Sequence, residues 1–274
     1  MKLPEITVII STYNQPEWLE KVLVGYNYQS CKNFEVIIAD DGSTDETKAV
    51  VQAFSNIVDY PIKHVWHEDQ GFRKTIILNK AIMHSAANYL LFTDGDCIPR
   101  QDFVETHIRL RKIGWFLSGG YFKLPESISK LISKEDIENQ NCFKAGWLQS
   151  KGMKSSFKLN KLTAKGTKEH VLNFITPTKA TWDGMNVSGW KENVLAVNGF
   201  DERMQYGGED REIGERLFNI GVRARQIRYS AICVHLYHER GYVEPEMIIK
   251  NNAIRKVTKR DKITRTPYGI EKES

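Results

Sequence analysis

The first 120 residues alternate short apolar runs with segments of helical spacing. The apolar runs are residues 6–10, 34–39, 61–66 and 89–93, and the helical patterns cover 16–28, 45–54 and 73–85. This alternation predicts an α/β fold in which a parallel sheet carries helices on both faces. Because such crossovers are right-handed, the loops after the strands should lie along one edge of the sheet, where open α/β sheets bind ligands.

The strand pattern at 89–93 runs directly into two carboxylates, Asp94 and Asp96, which are separated by one glycine. A strand that ends here places both side chains at the carboxyl end of the sheet. Hard oxygen ligands of this kind suit Mg²⁺ or Mn²⁺ that also holds phosphate oxygens. Two acids after a strand are also common in ordinary turns, so the pair gains weight only from its neighbours.

Three further loops should reach the same edge. The first contains Ser11 and Tyr13, the second contains Asp41, and the third contains Arg73 and Lys74. An acid after a strand can accept hydrogen bonds from a base or a ribose. The cations of the third loop could face a diphosphate, and arginine could bind it through two hydrogen bonds. Each loop alone could be turn chemistry, but all four in this order favour a binding site.

The pattern changes between residue 125 and about residue 177. Polar, lysine-rich stretches such as 151–156 (KGMKSS) predict an excursion or mobile loop without a core of its own. Regular spacing returns at 182–190 and in a helical pattern at 208–220. The chain ends in a basic helical extension over 241–274, which predicts either a solvated terminal helix or one that contacts a membrane.

Composition limits the expected partners and compartment. The formal net charge of +5 fits an anionic substrate or loose association with an acidic membrane surface, and it is too small to indicate nucleic acid. Four cysteines without paired spacing imply neither a zinc site nor a disulfide framework, so a reducing compartment is expected. The sequence has no membrane-spanning run and no signal-peptide pattern. We therefore expect a cytoplasmic protein, with peripheral contact at the inner face of the membrane as an open alternative.

Several of these motifs together resemble a known family. Residues 8–14 (VIISTYN), 39–45 (ADDGSTD) and 94–96 (DGD) resemble the family 2 nucleotide-sugar glycosyltransferases, which have the Rossmann-like GT-A fold. The block from 198–202 (NGFDE) through 207–210 (GGED) to 214–216 (GER) resembles the carboxyl-terminal segment of β-1,4-galactosyltransferases and bacterial chondroitin-type polymerases. The resemblance implies one transferase domain over 1–240, with a mixed sheet, a nucleotide-binding half at 1–120 and an acceptor and catalytic half at 175–240.

The resemblance implies a role for each residue that binds the donor. Tyr13 and Asp41 would hold the uracil, and Ser11 would belong to the same nucleotide-binding edge. Arg73 would lie near the nucleotide, and Asp94 would approach the ribose and the metal.

The resemblance also assigns the metal and the chemistry. Asp96 would be the principal carboxylate ligand of Mn²⁺ or Mg²⁺, and His235 would complete the metal site, with His238 as the alternative ligand. Asp210 would be the general base, and Glu209 would bind hydroxyl groups of acceptor or donor. An inverting transfer needs such a carboxylate to take the proton of the attacking hydroxyl group. The alternative for Glu209 and Asp210 is a simple helix cap.

Aromatic residues could add a wall on which a sugar stacks. The candidates are Trp182, Trp190 and Tyr206, of which Trp190 and Tyr206 are favoured, although aromatic side chains are as often part of a core.

The implied function is an inverting, metal-dependent glycosyltransferase. It would move galactose or N-acetylgalactosamine from a UDP-sugar to a glycan or glycolipid acceptor. Three alternatives remain open: the same fold with UDP-glucose or UDP-N-acetylglucosamine, a nucleotide-sugar-binding module without catalysis, and a metal-dependent nucleotidyltransferase. The intact set of Asp96, Asp210 and His235 argues against the module, and the late Gly-Gly-Glu-Asp block argues against the nucleotidyltransferase.

Overall fold

The computed structural model describes residues 3–239 and 243–272, which form ten strands and twelve α-helices. The strands are β1 (Ile6–Thr12), β2 (Phe34–Asp40), β3 (Ile62–Trp66), β4 (Tyr89–Asp94), β5 (Cys97–Pro99), β6 (Trp115–Ser118), β7 (Gly120–Lys123), β8 (Val187–Trp190), β9 (Arg223–Gln226) and β10 (Ile232–His235). The helices are α1 (Pro16–Asn27), α2 (Asp45–Ser55), α3 (Lys74–His84), α4 (Phe103–Leu110), α5 (Glu126–Leu131), α6 (Lys134–Glu138), α7 (Ala145–Ser150), α8 (Asn160–Thr163), α9 (Thr167–Ile175), α10 (Lys191–Ala196), α11 (Glu209–Asn219) and α12 (Pro245–Arg260).

The main sheet has seven strands in the order β3-β2-β1-β4-β8-β6-β9. Its first four strands are parallel, whereas β8 runs antiparallel to both β4 and β6. Every residue of β1 and β2 is buried, as expected for strands covered on both faces. The predicted α/β fold is confirmed, and the sheet as a whole is mixed.

Alternating side chains of the strands supply two apolar clusters, one on each face of the main sheet. Ile6, Val8 and Ile10 of β1 pack with α1 and α2, whereas Ile9 of the same strand packs in the cluster that contains α3 and α11. Because successive side chains of a strand point to opposite faces of the sheet, β1 packs against both helical layers. The layers leave the carboxyl ends of β1, β2 and β4 open.

A second sheet joins three short strands in the order β5-β10-β7. Strand β5 begins directly after Asp96, and the antiparallel pairing of β5 with β10 places Cys97 opposite His235. This pairing brings His235, from the second half of the chain, close to the carboxyl end of β4.

The segment that the sequence predicts as an excursion or mobile loop folds into five short helices, α5–α9, with two 3₁₀ turns at Asn141–Phe143 and Phe157–Leu159. Its apolar residues join the main core, among them Ile128, Ile137, Leu148 and Leu162. The sequence did not show these helices, because each has only four to nine residues, too few for a clear period among so many lysines.

The residues after 243 pack onto the rest of the fold. Helix α12 lies against α11, where its Arg255 and Lys259 both contact Glu215. Beyond α12, Ile270 joins the apolar cluster around α3 and α11. The boundary near residue 240 stays a prediction, because residues 240–242 lie outside the described residues.

All four cysteines are free thiols. Among the helices of the described residues, none has the length and apolar character that crossing a membrane requires.

Candidate active site

A cavity of about 740 Å³ opens at the carboxyl ends of β1 and β4. Eight of the ten residues predicted for the site line it: Ser11, Tyr13, Asp41, Asp94, Asp96, Glu209, Asp210 and His235. Arg73 and Trp190 do not line it. A cavity of similar volume between α2 and β3 contains none of the ten. The convergence of eight residues from both halves of the chain marks the first cavity as the candidate active site.

The loops after β1 and β2 form one wall of this cavity. The Tyr13 hydroxyl group donates a hydrogen bond to Asp69, at 2.8 Å. Asp41 Oδ2 accepts a hydrogen bond from the backbone N–H of Arg73, and Asp41 Oδ1 lies 2.7 Å from His67 Nε2. Burial raises the pKa of Asp41, although these two contacts oppose the shift. Tyr13 and Asp41 are therefore fixed in place beside the cavity.

Arg73 holds Asp41 through its backbone, and its side chain points elsewhere. The guanidinium group donates hydrogen bonds to Gln70 and to the carbonyl group of Glu68. The adjacent residue, Lys74, is the cation that faces the cavity, with Nζ 2.8 Å from Asp94 Oδ1. The two side chains point apart because consecutive residues at a helix start are about 100° apart, and a role of the Arg73 side chain near the nucleotide stays a prediction.

Lys74 lies near the carboxylates of three acids, and its positive charge offsets their negative charges; the acids are Asp94, Glu209 and Asp210. Burial alone would raise the pKa of Asp94, but the Lys74 ammonium group and a 2.6 Å hydrogen bond from Ser11 hold it below its usual value. Burial would lower the pKa of Lys74, and the charges of Asp94, Asp210 and Glu209 raise it well above its usual value instead. Lys74 and Asp94 therefore form an ion pair in the cavity, in which each favours the charged form of the other.

Asp96 lies between two imidazole rings. Its Oδ2 is 3.8 Å from His235 Nε2 and 3.2 Å from His238 Nε2. Candidate ligand atoms of Asp96, Cys97 and His235 lie within 4.8 Å of one another. Burial raises the pKa of the Cys97 thiol well above its usual value, and this thiol donates a hydrogen bond to Asp96 at 3.4 Å. Asp96, Cys97 and His235 thus offer candidate ligand atoms for a metal ion, and His238 lies within reach of the same carboxylate.

Helix α11 begins with the predicted acid pair. Gly207 and Gly208 have φ values of 102° and 94°, a left-handed conformation that favours glycine. Glu209 accepts a hydrogen bond from the backbone N–H of Gly207, at 2.8 Å. These contacts turn the chain sharply and point the next residue, Asp210, into the cavity.

Asp210 keeps one oxygen without a partner. Its Oδ2 accepts a 3.1 Å hydrogen bond from the backbone N–H of Gly184, whereas its buried Oδ1 has no hydrogen-bond partner among the described residues. Burial, followed by the negative charge of Glu209, raises the pKa of Asp210 to about 8. A carboxyl group with a raised pKa and an unpartnered oxygen is suited to exchange a proton with a bound molecule.

Two residues that support Asp210 were missed by the sequence analysis. A Cβ atom added to Gly184 would lie 2.6 Å from both carboxylate oxygens of Asp210, so only glycine fits there. Asn251 of α12 is fully buried and donates hydrogen bonds to the carbonyl groups of Gln205, Tyr206 and Gly207, at 2.9 to 3.2 Å. No local sequence signal marks either residue, because both act through segments distant in the chain.

Of the three aromatic candidates for a sugar-stacking wall, two line the cavity and Trp190 does not. Trp190 pairs with Tyr89, the first residue of β4, and its indole N–H donates to the Lys112 carbonyl group. It therefore lies at the opposite edge of the sheet, because β8 runs antiparallel to β4, and the structure does not bring it to the cavity where the sugar-stacking wall was expected. Trp182 and Tyr206 do line the cavity.

Comparison with known proteins supports the assignment of both halves. The family described as Glycosyl transferase family 2 matches residues 7–112, and the family described as N-terminal domain of galactosyltransferase matches residues 175–239. The first match contains the Asp94 and Asp96 loop, and the second contains Asp210, His235 and His238. The two matched segments therefore meet in the cavity.

Individual relatives show the same likeness. The chain is 22% identical over 254 residues to a chondroitin synthase of Escherichia coli, which covers 84% of this chain and 34% of the relative. A mannosyltransferase from Pyrobaculum calidifontis, solved with GDP-Man and Mn²⁺, has a TM-score of 0.58 and 22% identity and covers 88% of this chain and 59% of its own. Staphylococcus aureus TarS 1–349, solved with UDP-GlcNAc, has a TM-score of 0.60 and 16% identity over 94% of this chain and 69% of its own.

The chain spans between 14% and 64% of the length of the first curated relatives that it matches. The solved structures share its fold, a mixed sheet flanked by helices. The two family matches thus show a glycosyltransferase family 2 domain over residues 7–112 and a galactosyltransferase-type segment over residues 175–239, within a fold of the GT-A type.

Proposed function

We propose that this protein is an inverting, metal-dependent transferase that moves a hexose, galactose or N-acetylgalactosamine, from a UDP-sugar to a hydroxyl group of a glycan or glycolipid acceptor. The observation that carries the proposal is the unpartnered Oδ1 of Asp210, in one cavity with Asp94, Asp96 and two histidines. The name of the chondroitin synthase relative and the UDP-GlcNAc complex of TarS agree with a UDP-sugar and a glycan product.

In this reaction Asp210 would act as the general base. As the acceptor oxygen attacks the anomeric carbon, Asp210 Oδ1 takes the hydroxyl proton, and the bond between that carbon and the UDP oxygen breaks on the opposite face. The hydrogen bond from Gly184 holds the carboxylate in one orientation during the transfer. Lys74 provides a fixed positive charge for the departing diphosphate, which gains negative charge as the bond breaks.

The residues around Asp96 fit a divalent cation. Asp96, His235 and His238 would hold it, and its mixed nitrogen and oxygen donors suit Mn²⁺ better than Mg²⁺, which prefers oxygen. When bound, the cation would supply charge neutralisation for the diphosphate leaving group. The buried thiol of Cys97 supports Asp96 and is not needed as a ligand.

The proposal is tested by measuring UDP release from a panel of UDP-sugars with Mn²⁺, with Mg²⁺ and with a chelator. We expect release from UDP-galactose or UDP-N-acetylgalactosamine, faster with Mn²⁺ than with Mg²⁺. UDP-glucose, UDP-N-acetylglucosamine and GDP-mannose complete the panel. Faster release from one of these three would make that compound the assigned donor. If UDP-sugars bind in a metal-dependent way but no UDP is released in the presence of acceptor glycans, catalysis is contradicted.

Activity should depend on pH through Asp210. A general base acts as the carboxylate, and the pKa of Asp210 in the free enzyme is raised to about 8. The ratio kcat/KM should therefore rise with pH up to about 8 and fall roughly tenfold per unit below that value. Initial rates at limiting donor concentration, measured over a range of pH in buffers of constant ionic strength, test this rise of kcat/KM with pH. A limb near pH 4 to 5 would contradict the role of a perturbed carboxyl group.

Gly184→Ala is expected to lower turnover about 10- to 100-fold, because the added methyl group displaces the Asp210 carboxylate from its position. Binding of UDP, measured by calorimetry, should change little. The matched control is Gly146→Ala in α7, where a Cβ atom meets nothing within 4 Å. Equal rates for both variants would show that the position of Asp210 is unimportant.

Asn251→Leu is expected to lower both stability and turnover. The substitution leaves the carbonyl groups of the 205–207 loop without their donor, which costs about 1–3 kcal/mol of unfolding free energy. The loop precedes Asp210, so kcat should fall about tenfold or more. Thermal unfolding and initial rates measure the two effects. Asn252→Leu, at the exposed neighbouring position of the same helix, should leave both unchanged.

A further inference from the structure

Helix α9 (Thr167–Ile175) packs with its polar side inward. Asn173 accepts a 3.0 Å hydrogen bond from the backbone N–H of Tyr229 and donates one to the Ser230 hydroxyl group, at 2.8 Å. Glu169 accepts a hydrogen bond from the same hydroxyl group, and Leu172 is buried beside Tyr229. The face that contacts the protein is thus Glu169, Leu172 and Asn173, at the spacing of one helical side.

The opposite side of α9 is apolar and faces solvent. Val171, Phe174 and Ile175 are 49%, 90% and 61% exposed. With about 100° between successive residues, these three lie opposite Glu169 and Asn173. A helix that turns its acid and amide toward the protein and exposes its phenylalanine is inverted relative to an ordinary surface helix, a pattern typical of a side that contacts another apolar phase.

The surroundings of this exposed side are positively charged. Residues 151–179 contain seven lysines and one acid, Glu169, which is the residue that α9 turns inward. Lys165 and Lys168, at the amino-terminal end of α9, are both exposed. We use the name α9 outer face for Val171, Phe174 and Ile175 together with Lys165 and Lys168.

We propose that the α9 outer face docks on an anionic lipid bilayer, with its apolar side chains in the interface and its lysines at the headgroups. Exposed phenylalanine and isoleucine beside lysines are the composition of helices that lie in a membrane surface. A symmetric contact between two copies is disfavoured, because it would bring the same lysines together without any acid in the face to pair with them.

Helix α8, which precedes α9 in the chain, contacts a residue that lines the cavity. Lys161 of α8 donates a hydrogen bond to the carbonyl group of Tyr121, at 3.1 Å, and its ammonium group lies over the Tyr121 ring. Tyr121 lines the cavity. The carboxyl-terminal helix, the other basic candidate, uses Arg255 and Lys259 to contact Glu215 of α11.

Flotation with phospholipid vesicles, without any sugar donor, tests docking independently of catalysis. The full chain should float with vesicles of phosphatidylcholine and phosphatidylglycerol, and less with phosphatidylcholine alone or at high salt. Phe174→Ser combined with Ile175→Ser should weaken binding about tenfold or more. Lys165→Glu combined with Lys168→Glu should weaken it about fivefold or more per residue. Circular dichroism verifies that each variant is folded.

The matched control is Ile249→Ser combined with Lys256→Glu, which changes an exposed apolar residue and an exposed lysine of α12. This variant should bind vesicles like the unaltered chain. Loss of binding in the α12 variant with retention in the α9 variants would overturn the proposal and move the contact to α12. Light scattering that shows a dimer, converted to a monomer by the Phe174 and Ile175 changes without any vesicle binding, would also overturn it.

Discussion

Replacing Asp210 with asparagine is expected to lower turnover by about 10²- to 10⁴-fold, the usual contribution of a positioned general base. Asparagine has nearly the same shape and can still accept the hydrogen bond from the Gly184 backbone, but it cannot take the acceptor's proton. Donor binding, measured by calorimetry with UDP and Mn²⁺, should be retained. The expected signature is thus a loss in kcat with little change in donor affinity.

The same variant should keep or increase its stability. The pKa of Asp210 is raised in the folded state, so ionisation of this group disfavours folding, and stability is lost as pH rises through about 8. Asparagine removes that loss, and thermal unfolding at pH 9 should show an equal or higher Tm. Near-normal transfer rates in a folded Asp210→Asn protein would place the base elsewhere, and Glu209→Gln would then be the first variant to test.

Asp96→Asn is expected to abolish metal-dependent turnover and to weaken Mn²⁺-dependent UDP binding about 10²-fold or more. The substitution removes the carboxylate between the two imidazoles and leaves the backbone of β5 in place. Loss of a group that only orients a ligand already costs about 10- to 100-fold in affinity, so loss of the ligand itself should cost at least as much. Calorimetric titration of Mn²⁺ in the presence of UDP measures the effect.

The two histidines refine that assignment. His235→Ala and His238→Ala should each weaken Mn²⁺ binding, because both Nε2 atoms face the same oxygen of Asp96. His84→Ala, at an exposed position of α3, is the matched control and should have no effect. An effect in only one of the two variants would leave a single histidine ligand. Unchanged Mn²⁺-dependent UDP binding in Asp96→Asn would place the metal away from this cluster.

Local sequence determined the framework of the fold and most of the site. The apolar runs before Ser11, Asp41 and Asp94 are long enough to become buried strands, and the helical spacing between them requires parallel crossovers. Once those strands are parallel, their carboxyl ends must meet at one edge. The convergence of the predicted loops follows from that geometry, which is why Ser11, Tyr13, Asp41, Asp94 and Asp96 lie in one cavity.

Tertiary structure decided what local patterns could not contain. Trp190 lies at the wrong edge because the direction of β8 depends on a long connection, and the choice of Lys74 over Arg73 depends on where α3 begins. Gly184 and Asn251 hold Asp210 and the loop before it through contacts across 26 and 44 to 46 residues of sequence. Periodicity reports which side of an element is apolar, whereas the partner that covers that side is set by packing between distant segments.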